Sequence, residues 1–142
     1  MNIASKDRDK AKVHAAIEAR GLVSVMSDTK WRELASAVKK LPFAPPFQIT
    51  DVLGTTPVPP SFEEEVWHRG DWGEGLYPYY SVEWIRVRPR IVRRRGNYAL
   101  PQVEDIESAF VAILREVGVP HRKRGDCIEI FGYTESTADL AR

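Results

Sequence analysis

Between Tyr79 and Arg94 the chain reads YYSVEWIRVRPRIVRR, and this stretch constrains the fold more than any other. Apolar and polar residues alternate along it with period two, the pattern of a β-strand with two unlike faces. A regular strand places Tyr80, Val82, Trp84, Arg86, Arg88 and Arg90 on one face, and Ser81, Glu83, Ile85, Val87 and Ile91 on the other. Ile85 and Val87 are therefore expected to face covering helices. The arginines are expected to form an exposed stripe beside Tyr80 and Trp84, because unpaired arginines are rarely buried. Pro89 cannot donate to a ladder and predicts an edge or a bulge within the run.

Turn chemistry extends this strand into a sheet. Gly96-Asn97 stands where a two-residue hairpin turn belongs, with return through Tyr98 to Leu100. Gly125-Asp126 gives a second hairpin signal between Val119–Arg124 and Cys127–Tyr133, and Phe47 to Leu53 reads as a further short strand. Three helical patterns accompany the strands. The first runs from Asp7 to about Arg20 and stops at Gly21. In the second, Asp28 is placed to cap a helix carrying Trp31, Leu34, Ala35, Val38 and Leu41 at helical spacing, and Pro42 ends it. The third covers about Glu104 to Val117, with Ile106, Ala109, Phe110, Ile113, Leu114 and Val117 on one face and Gly118 as its stop. Together these elements predict an α+β two-layer sandwich. It has a mostly antiparallel sheet of about four or five strands, two packed helices and an extra N-terminal helix.

The 142 residues are expected to form a single domain over 1–142, with residues 1–21 as a peripheral helix. Residues 54–78 hold Pro57, Pro59, Pro60, Gly70, Gly73, Gly75 and Pro78, yet also Phe62, Trp67, Trp72 and Tyr77. So many large aromatics predict an ordered long loop folded onto the domain. Cys127 is the only cysteine, which excludes an internal disulfide and favours a cytoplasmic setting. No signal-peptide core and no apolar run long enough for a membrane span is present, so no membrane association is expected.

Motifs for nucleotide, zinc or nucleophile chemistry are absent: the chain contains no GxxxxGK[ST], HExxH, GxSxG or paired CxxC. Cys127 lies in the strand-like CIEIF with no base beside it in sequence, and is read as a plain strand cysteine. In EEEVWHRGDWGEG, Glu64 and His68 are four apart and Asp71 could orient the imidazole. Further metal ligands would have to come from His14 or His121 on unrelated segments, so an exposed acidic turn with packed tryptophans is preferred. Neither a metal nor a cofactor is expected.

The formal charge is +1, but it is unevenly spread. No acid occurs between Arg86 and Arg95, and His121, Arg122, Lys123 and Arg124 form a second basic cluster. Arg122 and Arg124 would extend the stripe if the two hairpins are neighbours. Such a surface suits nucleic acid, but domains of that kind usually have a pI above about 9, whereas this chain's is 7.9. Arginine, tryptophan and tyrosine are also the side chains enriched at protein–protein hot spots.

The stretches VMSDTKWREL (Val25 to Leu34), YSVEWIRVRPR (Tyr80 to Arg90) and IFGY (Ile130 to Tyr133) resemble a family of small uncharacterised bacterial proteins, classed only as a domain of unknown function. The resemblance covers about Leu22 to Tyr133, leaving the first helix as an addition, and it carries over no catalytic residue. Small families of this kind are often immunity proteins of toxin systems. The expected function is accordingly a cytoplasmic, non-enzymatic immunity protein that occludes a cognate toxin, whose gene is expected to lie next door. The expected contact residues are Trp67, His68, Asp71, Trp72, Tyr77, Tyr79, Arg86, Arg88, Arg90 and Arg93. The alternative is a nucleic-acid-binding module using the Arg86–Arg95 stripe.

Overall fold

Four apolar side chains, Ile85 and Val87 on one strand and Ile128 and Ile130 on its neighbour, form the floor of the core. The computed structural model describes residues 3–54, 56–62, 68–93 and 100–141. In chain order the elements are α1 (Ile3–Arg20), β1 (Val23–Ser24), α2 (Asp28–Val38), β2 (Phe47–Asp51), β3 (Val82–Val87), β4 (Arg90–Arg93), β5 (Gln102–Asp105), α3 (Glu107–Val117), β6 (His121–Arg124), β7 (Cys127–Phe131) and β8 (Tyr133–Thr134). The main sheet has the order β2-β3-β7-β6 and is antiparallel throughout. Two small antiparallel ladders, β1 with β8 and β4 with β5, complete the α+β architecture.

Helices α2 and α3 cover one face of the main sheet. Trp31, Leu34 and Val38 of α2 and Phe110 and Leu114 of α3 are buried on Ile85, Val87, Ile128 and Ile130. Each such large apolar side chain contributes roughly 1.5–3 kcal/mol when fully buried. The cap of α2 is Ser27, not Asp28. Its extended backbone lets Oγ accept the Lys30 N–H at 3.1 Å, while Asp28 lies inside the first turn, where its charge suits the helix dipole. Helix α3 begins at Glu107 rather than Glu104. The ladder with β4 claims Gln102–Asp105, Glu104 pairs with Arg93 at 2.6 Å, and Asp105 Oδ1 accepts the Glu107 N–H at 2.8 Å. Gly118 closes the helix at φ +78°, a conformation that side-chain-bearing residues rarely adopt.

The expected long strand from Tyr79 to Arg94 is divided into three. Tyr79–Ser81 is a 3-10 turn, β3 follows, and Pro89 separates β3 from β4, which leaves the main sheet and pairs with β5. The predicted break at Pro89 is observed, but the return strand is Gln102–Asp105. The predicted turn at Gly96-Asn97 and the return through Tyr98 lie outside the described residues, which resume at Leu100. Strict alternation also fails at one point. Thr50 pairs with Trp84 and Asp51 with Val82, so Glu83 is an extra residue in β3. The bulge puts Val82 in the core with Ile85 instead of beside Trp84. Gly132 seats against this bulge. Its N–H donates to the Glu83 carbonyl at 2.8 Å, and a Cβ there would collide with the Val82 carbonyl oxygen. The Gly125-Asp126 hairpin forms as expected, with Arg124 opposite Cys127.

The described parts of the excursion between residues 54 and 78 pack on the sheet. Val58 exchanges two backbone hydrogen bonds with Ile49, each 2.8 Å, and the Pro59 carbonyl accepts from Gln48 Nε2 at 2.9 Å. Trp72 is buried, donates its indole N–H to the Pro45 carbonyl at 2.8 Å, and meets Phe47 and Phe110 edge-on. Helix α1 is fastened by a two-pronged Arg20–Glu83 pair at 2.6 and 2.9 Å. Among the described residues no helix is long and apolar enough to cross a membrane.

Candidate functional site

The face of the main sheet turned away from α2 and α3 carries the chain's charge asymmetry. Parity along β3, β7 and β6 puts Trp84 and Arg86, Cys127, Glu129 and Phe131, and Arg122 and Arg124 on this side. Strand β3 lies against the β6–β7 hairpin: Trp84 lies opposite Phe131, Arg86 opposite Glu129, and Glu129 opposite Arg122.

Glu129 is the hub. Its side chain is 5% exposed, and it binds Arg86 Nη2 at 3.2 Å through Oε2. Through Oε1 it binds Arg122 at 3.0 Å from Nε and 2.8 Å from Nη2, a two-pronged guanidinium contact. Arg124 Nη1 is 4.0 Å away and its side chain is 68% exposed. The guanidinium of Arg86 lies over the Trp84 ring and that of Arg122 over Phe131, at 5.1 and 5.2 Å from the ring centres. Each stack adds attraction between cation and ring.

A second knot lies at the hairpin turn. Arg88 is buried, contrary to the exposed stripe expected. Its Nε donates to Asp126 Oδ2 at 3.2 Å, its Nη1 to the Phe62 carbonyl at 3.3 Å, and its guanidinium stands 4.5 Å from the Phe62 ring centre. A buried arginine is tolerated because the carboxylate and carbonyl satisfy it. Arg90 approaches the same Asp126 carboxylate at 4.0 Å. Burial would raise the Asp126 carboxyl, but the Arg88 hydrogen bond, the charges of Arg88 and Arg90, and the Cys127 thiol outweigh it and hold the group below its ordinary range. Cys127 beside it is buried, and loss of solvent pushes its thiol up to about 11. Such a thiol is protonated near neutrality and is a poor nucleophile.

The expected contact residues are thus divided. Arg86 belongs to the open face, while Arg90 and Arg93 lie on the β4–β5 ladder, Arg90 reaching Asp126 at 4.0 Å and Arg93 paired with Glu104. Arg88 is internal. Trp72 is a core residue, not an exposed anchor. Tyr79 is half-buried and stacks on Trp31 at 6.1 Å, and Tyr77 beyond it is exposed. Asp71 is exposed, and its Oδ1 closes a turn by accepting the Gly73 N–H at 3.2 Å; His68 is exposed too. Trp67 and Glu64 lie outside the described residues. Among the described residues no group of three His, Cys, Asp or Glu side chains could hold a metal ion. Phe131, Gln48 and Asp126 were not singled out from sequence as members of the face. The alternation of Cys127, Glu129 and Phe131 in CIEIF is the signal that places Phe131 there.

A family model matches residues 13–137, nearly the whole of this arrangement. The chain belongs to a family of unknown function, DUF6678. The match starts within α1, so the second half of that helix is part of the family domain and not an addition to it. No curated protein and no solved structure matches the chain.

Proposed function

We propose that the protein is a binding protein that docks an acidic partner protein on the open face of its central sheet. The observation that carries this reading is an excess of cations. Among the described residues Arg86, Arg122 and Arg124 are gathered on this face around Glu129, with Asp139 approaching Arg122 at 3.7 Å, while Arg88 and Arg90 are taken up by Asp126 at the hairpin turn. Three cations against two anions leave one positive charge in excess on this face, and Arg124 is the most exposed of the three. The more exposed guanidinium would draw in an acidic surface, and Trp84 and Phe131 would supply the apolar contact beside it.

The specific form of this reading is an immunity protein whose open face occludes a toxin's cleft. It is supported by the chain's small size and its lack of catalytic motifs. A nucleic-acid partner is less well supported. Arg86 and Arg122 lie over the rings on which bases would stack, and both are already committed to Glu129.

Calorimetric titration against the product of the adjacent gene tests the proposal. Arg124→Glu is the chosen variant, because an exposed side chain with one long contact can change without unfolding the sheet. Binding should weaken at least about tenfold in Arg124→Glu, a loss of about 1.4 kcal/mol, with the circular dichroism spectrum unchanged. No complex with that product, together with tight, steeply salt-dependent binding of a single-stranded oligonucleotide, would replace the proposal by the nucleic-acid reading.

A further inference from the structure

We infer that the outer edge of β6 is a strand-addition site for an acidic, extended peptide segment of the partner, and that the chain's own C-terminal segment partly occupies it. The inference rests on the open-face reading for the sign of the partner's charge.

Strand β6 ends the main sheet, since among the described residues its strand neighbour in that sheet is β7 alone. The two-residue turn Gly125-Asp126 closes the hairpin on Arg124 and Cys127. In an antiparallel pair, hydrogen-bonded and non-bonded positions alternate, so Arg124 and Arg122 turn their backbone groups toward β7. His121 and Lys123 then turn theirs outward. The structure bears this out at His121, whose N–H donates to the Ala141 carbonyl at 3.0 Å and whose carbonyl accepts the Ala141 N–H at 2.9 Å. Among the described residues the segment makes only this one antiparallel bridge to β6. Its Leu140 N–H turns back to the Thr137 carbonyl at 3.2 Å, which ends the extended course before it reaches Lys123.

An exposed edge of unpaired backbone groups is a template for another strand. Charge on an edge strand commonly blunts it. Here that charge selects the occupant. Three of the four β6 residues are cations, and Arg122 and Arg124 rise on the open face next to Glu129. A strand laid along β6 would place every second side chain on that face. Carboxylates at those positions would meet Arg124 and the Arg122 Nη1 that Asp139 now approaches at 3.7 Å from a largely exposed position. Asp139 and Ala141 thus show in miniature what the site accepts: one carboxylate on Arg122 and one strand pair on β6.

The probe is a fluorescein-labelled ten-residue peptide alternating glutamate and valine, read by anisotropy with the full chain. Lys123→Pro removes the outward N–H without touching the bonds of Arg122 and Arg124 to β7, and Lys123→Gln controls for the lost charge. Ala141→Pro removes the donor to the His121 carbonyl and unseats the tail. The peptide should bind the parent chain, bind Ala141→Pro about tenfold more tightly because fewer backbone hydrogen bonds must be exchanged, and fail to bind Lys123→Pro while Lys123→Gln stays within about threefold. Equal binding by Lys123→Pro and Lys123→Gln overturns strand addition; if Arg124→Glu still abolishes that binding, the open-face reading survives alone. Binding lost in Lys123→Pro but untouched by Arg124→Glu keeps the edge and removes the open-face reading. No binding by the parent chain or by Ala141→Pro overturns the inference.

Discussion

Replacing Arg88 with alanine should destabilise the protein by about 2–4 kcal/mol, whereas replacing Arg90 should cost at most about 1 kcal/mol. The two arginines are separated only by Pro89 and share Asp126, but their surroundings differ. The Arg88 side chain is 5% exposed, with a carboxylate on Nε, a carbonyl on Nη1 and the Phe62 ring beneath it. Hydrogen bonds to a charged group contribute roughly 1.5–3 kcal/mol. The cation–ring contact adds about 0.5–2 kcal/mol. The buried stem adds packing that alanine cannot replace. Against this, Asp126 is 30% exposed and regains water when Arg88 is lost, which keeps the total below a simple sum. Arg90 has only a 4.0 Å approach to Asp126 and a 3.5 Å bond to the Asp126 carbonyl, and its buried Nε has no hydrogen-bond partner among the described residues. Urea unfolding followed by tryptophan fluorescence measures both variants, with the midpoint shift converted at constant slope. Arg88→Met separates the terms, since it keeps the apolar stem and removes the donors. Equal midpoints for Arg88→Ala and Arg90→Ala would refute the argument, and Arg88→Met matching the parent chain would refute the role given to the hydrogen bonds.

Other outcomes follow from the same geometry. Because the Asp126 carboxyl is held below its ordinary value of 3.8, its contribution is complete above that pH and is lost as the pH falls through the lower folded value. Asp126→Asn should therefore be less stable than the parent at neutral pH and show a shallower loss of stability below about pH 4 in acid titrations followed by circular dichroism. Cys127 titrates near 11 when folded against an ordinary 9.0, so its contribution is complete below 9 and is lost as the pH rises from 9 toward 11. At about pH 8, below the folded value, an aromatic disulfide reagent should label Cys127 at the rate of unfolding; prompt labelling would contradict its burial. Ile85→Ala should cost about 2–5 kcal/mol in urea unfolding, since Ile85 is fully buried between Ile49 and Ile130.

Much of the fold was legible because it depends on local chemistry. Trp31, Leu34 and Val38 recur at helical spacing, Gly118 can adopt a positive φ, and Gly125-Asp126 makes a two-residue turn. Each of these signals lies within a few residues and needs no distant partner. The bulge at Glu83 was not legible, because it is defined by a mismatch of register with β2, a strand from a distant part of the chain. The start of α3 was misplaced for the same reason: Glu104 and Asp105 suit a helix N-terminus until Arg93 and the β4 backbone claim them for a strand.

The candidate site divides along that line. The sequence by itself determined that arginines fall on one parity of β3 and β6, because side chains alternate along any strand. It also determined that Ile85 and Val87 oppose them. Only the tertiary structure decided which arginines are open to a partner. Pairing β3 with β7 set Glu129 between Arg86 and Arg122, and the hairpin turn brought Asp126 against Arg88. The packing of Phe62 then sealed Arg88 inside. Charge is a property of a residue, but its availability depends on the counter-charge and solvent that folding brings to it, and these come from residues far apart in the chain.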